Sequence, residues 1–285
     1  MPQISIIIIN YNTFRLSCDC IASIYQHTRD ISFEIILVDN ASSECDPGDF
    51  LKQFPDITLV RNPENSGFAS GNNLGIAAAT GEVLLLLNSD TYLQEDAISK
   101  SYHYFKTLER PGAMTIRMVY ENGKYQKPAR KFRTLKSELL DLFPPLLKLL
   151  PYRKRANLML NQYFRGDFNT KVDWCNGAYF MLYRITLRDM PGGKLDDRYF
   201  MYGEDQLWCY QMIQAGYTNY YFSGATVVHI GSASTSRSKK KSLFNLMHRR
   251  TVEFYSMMTR NRLKIALFSV IVKLKYNLAF YFNMG

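Results

Sequence analysis

The chain has 285 residues, 47% of them hydrophobic, with 35 lysines and arginines against 25 acids; this is enough apolar material for a core and excludes a disordered chain. The five cysteines (Cys18, Cys20, Cys45, Cys175, Cys209) make no CxxC pair and no zinc-ligand rhythm, and Cys18 and Cys20 stand too close for an unstrained bridge, so free thiols in a reducing compartment are expected. The net charge of +10 sits on the C-terminal segment: eleven basic residues and one acid, Glu253, lie from Arg237 onward, which leaves 24 bases and 24 acids in residues 1–236.

The start, Met1 to Ile9, has neither the basic region nor the small-residue cleavage site of a signal peptide, and a cytoplasmic protein is expected. Three apolar runs then share one grammar. Ile4 to Ile9 ends in Asn10-Tyr11-Asn12, Glu34 to Val38 in Asp39-Asn40, and Val83 to Leu87 in Asn88-Ser89-Asp90. Near-continuous Ile, Val and Leu predict strands of a parallel sheet covered on both faces. Between them, Leu16 to His27 and Ser70 to Ala79 read as helices, which makes an alternating α/β, Rossmann-like order. Such sheets bind ligands outside the carboxyl ends of their strands, so three polar strand ends in sequence mark a site, although Asn, Asp and Ser are also ordinary turn residues.

Residues 111 to 136 read as strands and a loop. Leu139 to Leu150 is apolar, interrupted by Pro144-Pro145 and followed by Arg153-Lys154-Arg155; a flap, a membrane-touching hairpin and a packed helix pair all fit it. Regular structure resumes at Val172, and Arg198 to Ala215 reads as a loop entering a helix that stops at Gly216. The segment after Ser238 is helical in pattern. Two common phosphate cradles are absent, since there is no GxxxxGK[ST] and the turn after the first strand is Asn-Tyr-Asn-Thr rather than GxGxxG; kinase and dehydrogenase readings fall. Gly67, Gly71 and Gly75 recur every four residues, consistent with close helix packing or with a backbone approach to ligand.

Six segments, SIIIINYNT (5–13), VDNASS (38–43), NSGFASGNNLG (65–75), LLLNSDT (85–91), DWCNGA (173–178) and YFMYGED (199–205), occur in an order that resembles the family 2 glycosyltransferases of GT-A fold, and within them a rhamnosyltransferase-like branch of bacterial surface-polysaccharide enzymes. The resemblance covers roughly residues 4–231 and implies a GT-A catalytic domain over 1–236 with a basic amphipathic helical tail over 237–285. It implies that Asp39 reads a pyrimidine base through the ring N–H, a bond a carboxylate can accept. It places Asp90 of Asn88-Ser89-Asp90 on Mn²⁺ or Mg²⁺, hard ions that suit carboxylate and diphosphate oxygens, with His229 as a second ligand. Glu204 and Asp205 match the family's acidic pair; Asp205 is then the base that takes the acceptor hydroxyl's proton in an inverting displacement, and Glu204 positions acceptor or base. Both acids also suit the start of the helix they open. Asn10, Asn12, Asn40, Gly67, Asn72, Asn88, Trp174 and Gly177 fall on the nucleotide-sugar side, Trp174 packing on a sugar face or into the core.

The same resemblance implies a dTDP- or UDP-linked donor, dTDP-L-rhamnose first, and a lipid-linked saccharide acceptor. Ile265 to Phe282 is apolar but broken by Lys273 and Lys275, a poor span and a better interfacial helix. With Arg237 to Lys241, Arg249-Arg250 and Arg260 to Lys264 it predicts peripheral association with the anionic inner face of the plasma membrane. A tail packed on the catalytic domain is the competing reading. A nucleic-acid-binding module leaves the neutral body with acids at its strand ends unexplained, so no nucleic-acid partner is expected; an inactive sugar-binding scaffold is the remaining alternative.

Overall fold

A computed structural model describes residues 1–231 and 240–282. Ser232, Arg237 and Lys239, which the sequence places beside the site or in the basic cluster, lie outside the described residues. The chain divides into two compact units, Met1–Arg130 with Arg165–Gly231, and Lys131–Phe164 with the described residues after Gly231.

In chain order the first unit runs β1 (Ile4–Asn10), α1 (Phe14–His27), β2 (Phe33–Asn40), α2 (Asp49–Gln53), β3 (Thr58–Asn62), α3 (Gly67–Ala78), β4 (Val83–Asn88), β5 (Thr91–Tyr92), α4 (Ala97–Lys106), β6 (Pro111–Val119) and β7 (Ala129–Arg130). The second unit opens with four short helices, α5 (Leu135–Leu140), α6 (Pro144–Lys148), α7 (Tyr152–Leu158) and α8 (Leu160–Tyr163). The first unit then resumes with β8 (Thr170–Val172), β9 (Trp174–Cys175), β10 (Tyr179–Tyr183), α9 (Glu204–Gln214) and β11 (Thr218–His229), and α10 (Lys240–Met258) and α11 (Arg262–Phe282) complete the second. The three strands read from the sequence are present and each extends to include its polar terminal Asn; β3 and the long β6–β11 ladder carried weaker apolar signals.

The large sheet has the order β3-β2-β1-β4-β10-β6-β11-β5, with β8 paired to β11. β3, β2, β1 and β4 are all parallel, and β10 enters antiparallel beside β4. All four parallel strands therefore end on one edge. Alternate side chains of β1 explain why its run is apolar apart from Ser5: Ile4, Ile6 and Ile8 enter the main core with Ile21 and Ile24 of α1 and Phe105 of α4, while Ile7 and Ile9 face α3. A Cβ added at Gly75 would lie 2.4 Å from Ile7 Cγ2, and one at Gly71 3.4 Å from Ile9 Cδ1, so those glycines serve close packing rather than ligand approach. Trp208 of α9 is fully buried, 6.2 Å from Phe68 and edge-on to Phe180 at 5.6 Å.

The second unit has a small core of Tyr255, Phe268 and Val272, ringed by Leu135, Val252, Ile265 and Tyr276. The apolar stretch around Leu139–Leu150 is resolved into α5 and α6, the prolines starting α6 where their missing N–H groups are harmless. Glu138 is buried and takes a forked pair of bonds from Arg133 at 2.8 and 2.9 Å and a third from Lys275 Nζ at 2.9 Å. Lys275 also donates to Asp141 at 2.6 Å, so this tail lysine is an internal tie between α11 and α5 rather than a free surface charge. Among the described residues no helix is long and apolar enough to cross a membrane.

Candidate active site

The polar strand ends do converge along the carboxyl edge. At the end of β1, Asn10 is fully buried and both ends of its amide are used: Nδ2 donates to Asp39 Oδ1 (2.8 Å) and Ser42 Oγ (2.9 Å), while Oδ1 accepts from Thr13 N, Thr13 Oγ1 and Ser17 Oγ at 3.0–3.2 Å. Asp39 Oδ2 takes the Ser42 N–H at 3.2 Å. Asn12 is exposed in a left-handed conformation, φ 53°, and its Oδ1 accepts the Ser43 N–H at 2.8 Å, which latches the β1 loop to the β2 loop. Asn40 is a second buried hub; its Nδ2 reaches Asn65 Oδ1 and Gly67 O, and its Oδ1 receives Asn62 Nδ2 at 2.7 Å and the Ser66 N–H. Asn72 Nδ2 is spent on Phe68 O at 2.8 Å within its own helix. Asn10, Asn40 and Asn72 are therefore ties of the framework, Asp39 is buried level with Asn10, and Asn12 is exposed.

Gly67 is required by the approach of another chain segment. Its φ is +86°, and a Cβ there would stand 2.4 Å from the Phe200 carbonyl oxygen, which also accepts the Phe68 N–H at 3.0 Å. This fastens the loop before Glu204-Asp205 onto the start of α3. Tyr202 (φ 70°) and Gly203 (φ 98°) then turn the backbone through two successive left-handed residues into α9. A tyrosine in that region is held by its surroundings, as is common where a loop aims a reactive group.

Asp205, in the first turn of α9, accepts the Gln206 N–H on Oδ1 at 2.8 Å and the Gly177 N–H on Oδ2 at 3.2 Å. Burial pushes its carboxyl above the ordinary aspartate value, against the lowering effects of those N–H groups and of the Arg130 charge. Glu204 beside it is buried. The short loop that holds Asp205 also holds β4: Ala178 O accepts the Asn88 N–H at 3.1 Å. Gly177 is packed against Phe68, 3.1 Å from the position of a Cβ, and Trp174 is partly buried beneath the Arg130 guanidinium, 5.0 Å from the ring centre, on the β7–β9 pair. The Trp174 ring is thus partly open.

At the end of β4, Asp90 Oδ1 lies 3.3 Å from His229 Nε2, and Asp90 Oδ2 accepts the Gly231 N–H at 3.2 Å. Burial works against charge on Asp90, but His229 and the Gly231 N–H outweigh it and hold the carboxyl below its ordinary value. Gln126 holds the imidazole from its other side: its amide N–H₂ donates to the His229 carbonyl and its Oε1 lies 2.7 Å from Nδ1, which leaves Nε2 turned toward Asp90. Nε2 is left facing Asp90 Oδ1 and Asn88 Nδ2 (3.5 Å), and Asn88 Oδ1 is buried without a hydrogen-bond partner. A carboxylate and an imidazole nitrogen 3.3 Å apart are a pair of donors that fits a divalent cation. Asp90 and His229 are the two candidate ligands there, and among the described residues no group of three His, Cys, Asp or Glu is gathered. Thr13 Oγ1, 3.0 Å from Ser89 Oγ, joins this point to the Asn10–Asp39 end.

Sequence reasoning named Asp90, His229, Asp205 and Gly177 but not Gln126, Arg130 or the Phe200 carbonyl. Only the fold brings residues 126 and 229, or 67 and 200, together; a residue-type signal for them is missing from their own segments.

A parallel sheet edge with an aspartate at the end of β2, an Asn-Ser-Asp end on β4 and a carboxylate at the start of α9 defines a GT-A fold. The same fold is seen in the mannosyltransferase PcManGT from Pyrobaculum calidifontis in complex with GDP-Man and Mn²⁺ (TM-score 0.60, 16% identity, 97% of this chain and 70% of that one). It recurs in S. aureus TarS 1-349 in complex with UDP (TM-score 0.52, 17% identity, 87% and 65%). The model for Glycosyl transferase family 2 matches residues 5–183, and the chain belongs to that family. Among curated relatives, the uncharacterized glycosyltransferase YwdF of Bacillus subtilis (strain 168) is 25% identical over 179 residues, 60% of this chain. The chain spans 65% of that relative's length and about a third of the length of several others it matches.

Proposed function

We propose that the protein is a metal-dependent, inverting glycosyltransferase that moves a sugar from a nucleotide-sugar donor to a hydroxyl of a lipid-linked saccharide in cell-surface polysaccharide synthesis. The observation that carries this reading is the pairing of two unlike acid sites through one loop: Asp205 on one side of Gly177-Ala178 and the Asn88–Asp90–His229 end of β4 on the other. Asp90 and His229 would hold Mn²⁺ or Mg²⁺, which when bound neutralises charge on the departing nucleoside diphosphate. Asp205 takes the acceptor hydroxyl's proton as that oxygen attacks the anomeric carbon, and a carboxyl held above its ordinary value is the stronger base for it. Asp39 receives the pyrimidine N–H, and Trp174 offers an apolar face to the sugar. Catalytic activity distinguishes this from an inactive scaffold.

Rhamnose from dTDP-L-rhamnose is the first donor to try, on the branch resemblance. The UDP bound by TarS supports a UDP-sugar as the second reading. The basic excess from Arg237 onward supports attachment to the anionic inner face of the plasma membrane, where a lipid-linked acceptor is found. The test is nucleoside diphosphate release from a panel of donors with Mn²⁺ or Mg²⁺ and lipid-linked acceptors. Metal-dependent release from one donor, absent in Asp205→Asn, identifies enzyme and donor together; no release from any donor removes the proposal.

A further inference from the structure

The second unit leaves unusual side chains in water. Leu142, Phe143, Leu146 and Leu149 are 53%, 57%, 64% and 81% exposed. They fall within eight consecutive residues in which Leu147 alone is buried. Single exposed leucines are ordinary, but four around a pair of prolines form a patch. Residues 142–158 hold four bases (Lys148, Arg153, Lys154, Arg155) and no acid. Arg155 turns inward, over the Tyr163 ring at 5.0 Å, while Lys148, Arg153 and Lys154 are exposed.

α11 has a similar make-up. Ile265, Phe268, Val272 and Tyr276 pack into the unit's core, yet Leu263, Leu267, Val270 and Leu274, spaced as one helical face, are exposed. The helix thus has two apolar faces and one is covered. It too contains bases, with Arg262, Lys264 and Lys273 exposed, and no acid.

We propose that these surfaces seat the second unit on an anionic lipid bilayer, with Leu142, Phe143, Leu146 and Leu149 entering between headgroups and acyl chains. The inference rests on the membrane reading above and deepens it, since that reading invoked the tail's charge and this one adds apolar insertion by a segment outside the tail. Charge selects the occupant: exposed Lys148 and Lys154, with Arg262, Lys264 and Lys273 on α11, stand beside apolar side chains in segments that hold no acid, which matches anionic headgroups over hydrocarbon. The backbone suits the same surroundings. Pro144 and Pro145 present no N–H, and the N–H groups of Leu142, Phe143, Leu149 and Leu150 are all bonded to carbonyls within the segment, at 3.1–3.3 Å, so insertion strands none of them.

The test is co-sedimentation of the full chain with phosphatidylcholine vesicles, with and without phosphatidylglycerol, for wild type and for Leu146→Ser combined with Leu149→Ser. Thermal unfolding serves as the folding control, because both leucines are at the surface. The expected result is binding to the phosphatidylglycerol vesicles that weakens roughly tenfold or more in the serine variant. A Phe143→Trp variant should add emission that shifts blue on those vesicles and is quenched by brominated acyl chains. If the serine variant binds as wild type does, apolar insertion is wrong while charge-driven attachment stands. If wild type stays in solution with both vesicles, the membrane reading falls as well. If instead wild type self-associates and the serine variant does not, with no effect of vesicles, the surface is an interface between copies of the chain.

Discussion

The carboxyl ends of β1 and β2 and the carboxyl end of β4 lie on one edge of one sheet, and they are built in opposite ways. Around Asn10, Asp39 and Asn40, polar side chains meet internal partners, and Asn10 alone makes five hydrogen bonds. Around Asn88, Asp90 and Asp205, a buried amide oxygen has no partner, Asp90 and the His229 imidazole face each other at 3.3 Å, and burial pushes the Asp205 carboxyl above its usual value. Saturated groups make a rigid floor. On the proposed function, the unsaturated ones are where a cation and a substrate's proton would be taken up.

The sharpest test of this contrast is Asp205→Asn, expected to lower the transfer rate roughly 10³-fold. The pH signs separate its catalytic role from a structural one. As a base, Asp205 works only when deprotonated, so the rate should fall as pH drops through a value above the ordinary aspartate range, and the asparagine variant should lose that limb. For stability the raised value means that the folded chain binds the proton more tightly than the unfolded chain; the neutral form is favoured, and the charge opposes folding as pH rises from the ordinary value through the raised one. Asp205→Asn should therefore melt at neutral pH no lower than wild type, and a clear loss of stability would make Asp205 a structural residue.

A smaller effect is expected at Gln126, which touches the proposed ligand His229 and holds its ring in place. Gln126→Ala should raise the Mn²⁺ concentration needed for half-maximal activity by roughly 10- to 100-fold with little change in rate at saturating metal. An equal loss at all metal concentrations would place Gln126 in general folding instead. On the saturated side, Asn10→Ala should reverse the pattern, lowering stability by about 2–4 kcal/mol because Asp39, Thr13 and Ser17 lose a buried partner, with the remaining folded protein turning over within about threefold of wild type.

The smallest effect is expected at Glu138, a buried carboxylate with complete pairing. Burial acts to raise its value, but Arg133 and Lys275 outweigh it and bring the carboxyl below the ordinary glutamate value. Its contribution is then present above the ordinary value and lost as pH falls through the folded one, the opposite sign to Asp205. Glu138→Gln should destabilise the chain by about 1–2 kcal/mol at neutral pH and flatten the acid side of the melting profile, with transfer activity unchanged.

Much of this was legible in order of residues. Near-continuous Ile, Val and Leu in β1, β2 and β4 require strands covered on both faces, and a parallel sheet directs their polar ends to one edge, so the residue order itself marks Asp39, Asn88 and Asp90. The pattern could say that Gly67, Gly71 and Gly75 needed closeness to something, but not to what. Ile7, Ile9 and the Phe200 carbonyl come from other segments, and a glycine's missing Cβ carries no record of its neighbour. Lys275 was legible as a charge interrupting an apolar helix and illegible as the partner of Glu138 and Asp141, more than 130 residues earlier.

Local chemistry is carried by each residue and its near neighbours, and for that reason the sequence alone determined the alternation of strands and helices, the acids at strand ends and the one-sided charge of the chain. Pairings over long separations depend on loop closure and packing that no local pattern encodes. Only the tertiary structure decided that Asn10, Asn40 and Asn72 are tied into the framework, that Gln126 orients His229, that burial raises Asp205, and that Leu142, Leu146 and Leu149 in and around α6 are left in water.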